Sequence, residues 1–150
     1  MVVLGIHIAT NQLRYAVLDG TKASPQLLAK DRLLTPDPKQ VPELMDWFES
    51  QYIKLINQHS VDRIACRLTL APKKGQLFTS CFPLGVLYLL AHKRNIPVSS
   101  YVSGNYVASR LGLSKQTDIY KHCDTVLGEH PPYWDDTQKH AVLAAWFELR

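Results

Sequence analysis

Apolar positions along the chain follow two spacings, and together they predict nearly every element. Val2 to Gly20 reads VVLGIHIATNQLRYAVLDG, two apolar runs around a short polar break. It predicts a β-hairpin with strands Val2–Ile8 and Gln12–Asp19. Gln26–Leu34 is a weaker third strand, ended by Thr35-Pro36. Asp37-Pro38-Lys39-Gln40 then predicts a helix start, with Asp37 as N-cap and Pro38 in the first helical position. Val41, Leu44, Met45, Phe48, Tyr52, Leu55 and Ile56 follow at helical spacing, to about His59. Asp62–Leu70 (containing RIACRLTL) reads as a fourth strand, closed by Ala71-Pro72.

The second half is more helical. Lys73–Gln76 is a basic turn containing Gly75. Leu77–Arg94 is apolar almost all round, which predicts a helix buried on more than one side. Pro83 implies either a start near Ser80 or a kink. Ile96–Tyr101 is a short strand, and Asn105–Leu111 a short helix stopped by Gly112. Ser114 is placed to cap a helix running to about Leu127, with Gly128 ending it. Asp135 and Gln138 form a capping-box-like pair opening a last helix, with His140, Leu143, Ala144 and Phe147 on one face. The order β-β-β-α-β-α-β-α-α implies a mixed sheet with helices on both faces.

Composition narrows the class. The 150 residues, 46% apolar and 20% charged, suit one globular domain with a real core. No apolar run approaches the ~20 residues of a membrane span. No basic segment followed by an apolar core opens the chain, so a signal peptide is not expected. Cys66, Cys81 and Cys123 are widely spaced with no CxxC, which fits a reduced, cytoplasmic protein. No GxSxG, Walker loop or GxGxxG is present.

Charge adds a candidate partner. The net charge is +4, and residues 61–130 hold nine Lys or Arg against four Asp or Glu. Such a basic middle is compatible with a polyanion, DNA or RNA, and equally with a solvated surface. Lys73, Lys74 and Lys115 are the candidate nucleic-acid contacts. The loop at Lys73-Lys74-Gly75-Gln76 can hold phosphates by ammonium groups and backbone amides, or stand as a plain turn. Tyr133 and Trp134 either stack on a base or cover a core edge.

Several of these segments in order resemble the RNase H-like superfamily. They are similar to RuvC-type Holliday-junction resolvases, their YqgF-like relatives, and more closely a small uncharacterised bacterial RNase H-like family. GIHIATNQLRYAVLD resembles the family's first hairpin, and VDRIACR the strand ending in its second catalytic acid. GVLYLLAHKRNIPVSSYVSGNYVASRLGLSKQ resembles the helix, edge strand and basic helix that follow. KHAVLAAWFEL resembles the C-terminal helix carrying the last acid. The resemblance implies a three-layer α/β/α domain over residues 1–150 with a five-stranded mixed sheet. The actin-like ATPase fold also opens strand-turn-strand, but needs two domains and about twice this length.

The resemblance also implies a two-Mg²⁺ nuclease centre, with ions ~4 Å apart held by carboxylates. Here the chain departs. The first acid falls on His7, the second on Arg67 and the last on His140. A guanidinium stays protonated and opposes the ions it would have to bind. The expected cofactor is therefore none, and the expected function a non-catalytic nucleic-acid-binding or interaction module, with a homodimer as the default assembly. The alternative is a divergent nuclease with a divalent ion on His7, Asp136 and His140. Imidazole suits transition metals better than Mg²⁺. Asp136 reads more readily as a helix N-terminal acid facing the dipole.

Overall fold

A computed structural model describes residues 1–37 and 40–150. Its five strands are β1 (Val3–Ala9), β2 (Gln12–Gly20), β3 (Pro25–Leu34), β4 (Arg63–Arg67) and β5 (Val98–Tyr101). They form one sheet in the order β3-β2-β1-β4-β5. β1 to β3 are antiparallel neighbours, while β4 and β5 run parallel to β1. The two-residue turn Thr10-Asn11, with Asn11 in the left-handed conformation (φ 54), sets the first register, including Gly5 opposite Ala16 and His7 opposite Arg14.

Alternate residues of the strands feed two cores. Leu4, Ile6, Ile8, Leu13, Val17, Ile64 and Cys66 point to one face. There they meet Leu44, Phe48, Tyr52, Leu55 and Ile56 of α1 (Val41–His59), and Leu84, Leu87, Leu90 and Ala91 of α3 (Phe82–Lys93). Val3, Ala16, Leu18 and Ala65 point the other way. They meet α5 (Asp136–Glu148) and, beside it, Ile119 and Cys123 of α4 (Ile119–Leu127). The result is the expected three-layer α/β/α domain with a five-stranded mixed sheet.

Element ends differ from the sequence reading for local reasons. The first helix begins at Val41 behind Gln40 rather than at an Asp37 cap. Pro42 explains this: it is tolerated in the first turn, whereas a helix begun at residue 38 would bury it in the interior. The predicted first helical positions, Pro38 and Lys39, lie outside the described residues. Lys73–Gln76 is not a bare turn. Lys73, whose backbone N–H donates to the Gln76 side chain (2.8 Å), precedes a single helical turn, α2 (Lys74–Gln76), which runs through a π-helical turn (Leu77–Cys81) into α3. Pro83 lies in the first turn of α3, and the wider π-turn before it absorbs the missing N–H.

α3 is buried on one side only, contrary to its all-round apolar sequence. Phe82 and Leu89 are 47% and 54% exposed. The predicted helix at Asn105–Leu111 is two 3-10 turns, Ser103–Asn105 and Ala108–Leu111, the second stopped by Gly112 in the left-handed region (φ 72). Asp118, not Ser114, caps α4, accepting from the Tyr120 and Lys121 N–H groups. Ser114 bonds Thr117 instead (3.0 Å). α5 is capped by Asp135 as expected, but is buried on nearly every side from Ala141 to Phe147.

α5 lies unusually close to the sheet because of one row of small residues. Ala16, Gly5 and Ala65 are register partners across β2, β1 and β4. A Cβ on Gly5 would stand 2.0 Å from the Ala141 carbonyl oxygen and 3.0 Å from the Ala145 side chain. Gly5→Ala is therefore expected to destabilise the fold by about 2–3 kcal/mol, since a backbone carbonyl cannot turn aside. Gly85→Ala, with nothing within 4 Å of the added carbon, is expected to be neutral or mildly stabilising. Urea unfolding of both variants checks this, and equal midpoints would disprove the close approach.

Candidate functional site

Two residues beyond the small row, the same sheet face turns basic. His7 on β1 is opposite Arg14 on β2, and Arg14 is opposite Arg32 on β3. Arg67 on β4 follows Cys66, the partner of Ile6, which sets it beside His7; across β5 its partner is Tyr101. The strand alternation thus aligns Arg32, Arg14, His7 and Arg67 in one row. α5 completes the cluster from above. Its close seat over Gly5 brings His140 against His7, with ring centroids 4.9 Å apart and planes at 88°. His7, Arg67 and His140 therefore converge.

The imidazoles are held neutral. Burial, followed by repulsion from His140, Arg67 and Arg14, lowers the pKa of His7 to about 3. Burial and Arg67 lower His140 to about 4, with Asp136 and Asp135 pulling part of the way back. Tyr106 and Tyr120 each meet the His140 ring edge-on at 5.6 Å. The Tyr106 hydroxyl donates to the His140 carbonyl (3.0 Å). Burial raises both phenols against the pull of Arg67, so they too stay protonated.

The guanidinium groups are treated differently from one another. Arg14, only 4% exposed, donates to both carboxylate oxygens of Asp135 (3.1 and 3.2 Å), to Gln12 (2.8 Å), and to the Tyr133 carbonyl and Gln138 (3.4 Å each). Burial pushes the Asp135 carboxyl upward, but the Gln138 N–H and Arg14 hold it below the usual carboxylate range. Gln138 does not close a capping box; its amide donates to the Tyr15 carbonyl (2.7 Å). Arg32 is stacked on Tyr133 (3.9 Å). Arg67 is stacked on Tyr106 (4.4 Å) and pairs with no acid among the described residues. Four buried side-chain polar atoms lack a hydrogen-bond partner among the described residues, and all four belong to this row and the helix above it: Arg32 Nε, His7 Nδ1, Arg67 Nη1 and His140 Nδ1.

The cluster does not suit the two Mg²⁺ ions that its fold implies. Hard cations need oxygen ligands, and the matched positions offer imidazole nitrogen and a permanent cation. Asp136 is exposed on the first turn of α5 and reaches His140 only through its charge. Among the described residues, no group of three or more His, Cys, Asp or Glu side chains is placed to hold a metal ion.

The candidate lysines lie around this centre rather than within it. Lys73 and Lys74 are exposed at the start of α2, after β4. Lys115 is exposed on the loop before α4 and lines a cavity of about 640 Å³ with Tyr106, Ser109 and Thr117. None of the three forms an ion pair among the described residues. Trp134 covers a core edge, donating its indole N–H to Asp124 (2.5 Å). Tyr133 is committed to Arg32. Sequence reading missed Arg14 and Arg32. A two-residue turn at Thr10-Asn11 already pairs position 7 with position 14, so the hairpin register was the available signal.

The neutral histidines make stability depend on pH with a definite sign. In the unfolded chain both imidazoles bind protons below about pH 6.5, whereas in the fold they do so only near pH 4 and 3. The unfolded state therefore gains protons first, and stability falls as pH drops through that window. From pH 7 to pH 5 a loss of about 2–3 kcal/mol is expected, after discounting His140 for its partial solvent screening. The paired carboxylates contribute only below this range. Urea unfolding across the window should show the loss, and a variant combining His7→Gln with His140→Gln should flatten it. A flat wild-type profile would contradict the assignment.

A scan against protein-family models finds no match, and a search of curated proteins finds none. Solved structures do match. Thermus thermophilus RuvC bound to a Holliday junction substrate superposes with a TM-score of 0.77 at 16% identity, over 98% of this chain and 91% of that one. A second Thermus thermophilus RuvC structure gives 0.76 at 18%, over 98% and 92%. The yeast mitochondrial Holliday junction resolvase gives 0.69 at 16%, over 97% and 76%. The chain has the RuvC-type RNase H-like fold.

Proposed function

We propose that this protein is a RuvC-like nucleic-acid-binding module that has given up strand cleavage. The observation that supports it most is the convergence of His7, Arg67 and His140, with Arg67 paired to no acid among the described residues. At the positions where the resemblance places metal-binding acids, this chain carries two neutral imidazoles and one cation. Such a set attracts a phosphodiester backbone but neither holds two Mg²⁺ ions nor supplies a carboxylate base. The positive excess over residues 61–130 extends the same field, with Lys73, Lys74 and Lys115 as peripheral backbone contacts. The solved neighbours, one of them bound to a Holliday junction, make branched DNA the first substrate to try.

A cytoplasmic setting is part of this reading, supported by three free cysteines, two of them buried. No helix among the described residues is long and apolar enough to cross a membrane. A homodimer is supported by the outer face of α3 and the turn before it, where Phe78, Phe82 and Leu89 are exposed together. Sedimentation equilibrium is expected to give twice the chain mass, and Phe82→Lys with Leu89→Lys to return it to the monomer.

Fluorescence anisotropy on a four-way junction, a duplex and a single strand tests the binding. Affinity should fall steeply with salt, by about 0.9 in log K per log salt for each phosphate neutralised on duplex arms. The triple variant Lys73→Glu, Lys74→Glu, Lys115→Glu should lose at least about tenfold in affinity and flatten the slope. No strand cleavage is expected with Mg²⁺, Mn²⁺ or Zn²⁺. Absence of salt-sensitive binding to any of the three substrates would remove the binding assignment. Metal-dependent cleavage abolished by His7→Ala would instead establish the divergent nuclease using His7, Asp136 and His140.

A further inference from the structure

Three buried or half-buried side-chain cations in this protein come with an acid. Arg14 has Asp135 (3.1 Å), Arg63 has Glu148 (2.9 Å) and Lys139 has Asp124 (3.0 Å). Arg67, like half-buried Lys22, Lys30 and Arg32, has none among the described residues. It is half-buried at the end of β4, no carboxylate lies within ion-pair distance among the described residues, and its Nη1 is buried without a hydrogen-bond partner. Tyr106 stacks on it, and the Tyr106 and Tyr120 hydroxyls lie within its reach, yet Nη1 keeps no partner among the described residues. Arg32 also lacks an acid and keeps an unpartnered Nε, with Tyr133 stacked on it at 3.9 Å.

Arg67 instead opens onto a cavity. About 340 Å³ of space beyond β4 and β5 is lined by Arg67, Thr69, Leu70, Val102 and Ser103. The cavity has one permanent cation, two hydroxyls that can donate, and no Asp or Glu in its lining. A half-buried cation lining a cavity that lacks an acid is a group that an anion would complete.

We propose that this cavity is an oxyanion site that takes a single phosphoryl group, with the Arg67 guanidinium as anchor and the Thr69 and Ser103 hydroxyls as further donors. The planar fork of a guanidinium matches two phosphoryl oxygens, which a lysine in the same place cannot reproduce. The neighbouring imidazoles of His7 and His140, being neutral, leave Arg67 as the charge that selects the anion. The site deepens the nucleic-acid reading, on which its assignment to a backbone phosphate rests: it names one phosphate contact at the centre of the surface. A free phosphate or phosphomonoester offers the same chemistry.

Titration with inorganic phosphate at constant ionic strength, followed on the Arg67 side-chain N–H signals by NMR, tests the site itself. Saturable shifts are expected with phosphate and not with chloride. Arg67→Gln should abolish saturable binding, Arg67→Lys should weaken it at least about tenfold through loss of the fork, and Thr69→Val should weaken it less. Circular dichroism and urea midpoints show whether each variant is folded, and Thr69→Val serves if the arginine variants are not. Arg67→Gln should also weaken junction binding and lower the salt slope by about one. Absence of a saturable phosphate shift in the wild type would overturn the site, whatever the junction result. Phosphate binding lost in Arg67→Gln, with no binding of any nucleic acid, would keep the site as one for a small phosphorylated ligand and overturn the nucleic-acid reading.

Discussion

The contact on which this structure depends is the one between Gly5 and the Ala141 carbonyl. A missing side chain in the middle of the central strand lets α5 sit against the sheet, where an added Cβ would be 2.0 Å from that oxygen. Ala16 and Ala65 on either side keep the approach wide enough for a whole helix. α5 is then enclosed on nearly every side, and its one partly open position within the central turns is His140, next to Ala141. The pairing of His140 with His7 follows from this seating. A bulkier residue at position 5 would lift the helix and separate the two imidazoles.

The same helix decides the charge at both ends of the sheet face. At its C-terminal end Glu148 accepts from Arg63 and Tyr101. At its start Asp135 accepts both nitrogens of the Arg14 fork. Between these two neutralised ends, α5 offers Arg67 an imidazole, which burial and neighbouring cations keep uncharged. Arg67 and, at the far end of the row, Arg32 are thus the guanidiniums of this face that no acid neutralises among the described residues. An arrangement of this kind costs stability unless an anion completes it, and unpaired buried charge of this sort gathers at functional sites.

Much of the fold was legible. Period-two alternation in β1 and β2, the helical stripe of α1 and the glycine stops at residues 112 and 128 all correspond to real elements. The errors share one cause: composition reports how apolar a segment is, not how many neighbours cover it. Leu77–Arg94 reads as wholly buried, yet its outer face is open. α5 reads as one-sided, yet it is enclosed. The early start assigned to α1 gave weight to Asp37 and overlooked Pro42, whose missing N–H restricts it to a first turn.

For the site, the chain by itself determined which residues stand at the matched positions: His7, Arg67 and His140, none of them an acid. Those identities follow from residue order, which the sequence carries in full. The two-residue turn that sets His7 opposite Arg14 came from the structure, since the apolar pattern ended the first strand one residue earlier, at Ile8. Only the tertiary structure decided which cations are neutralised. Asp135 lies 121 residues from Arg14 in sequence, Glu148 85 residues from Arg63, and no acid arrives for Arg67 among the described residues. Ion pairing depends on distances of a few ångströms between distant segments, and those are set by how closely α5 settles on the sheet.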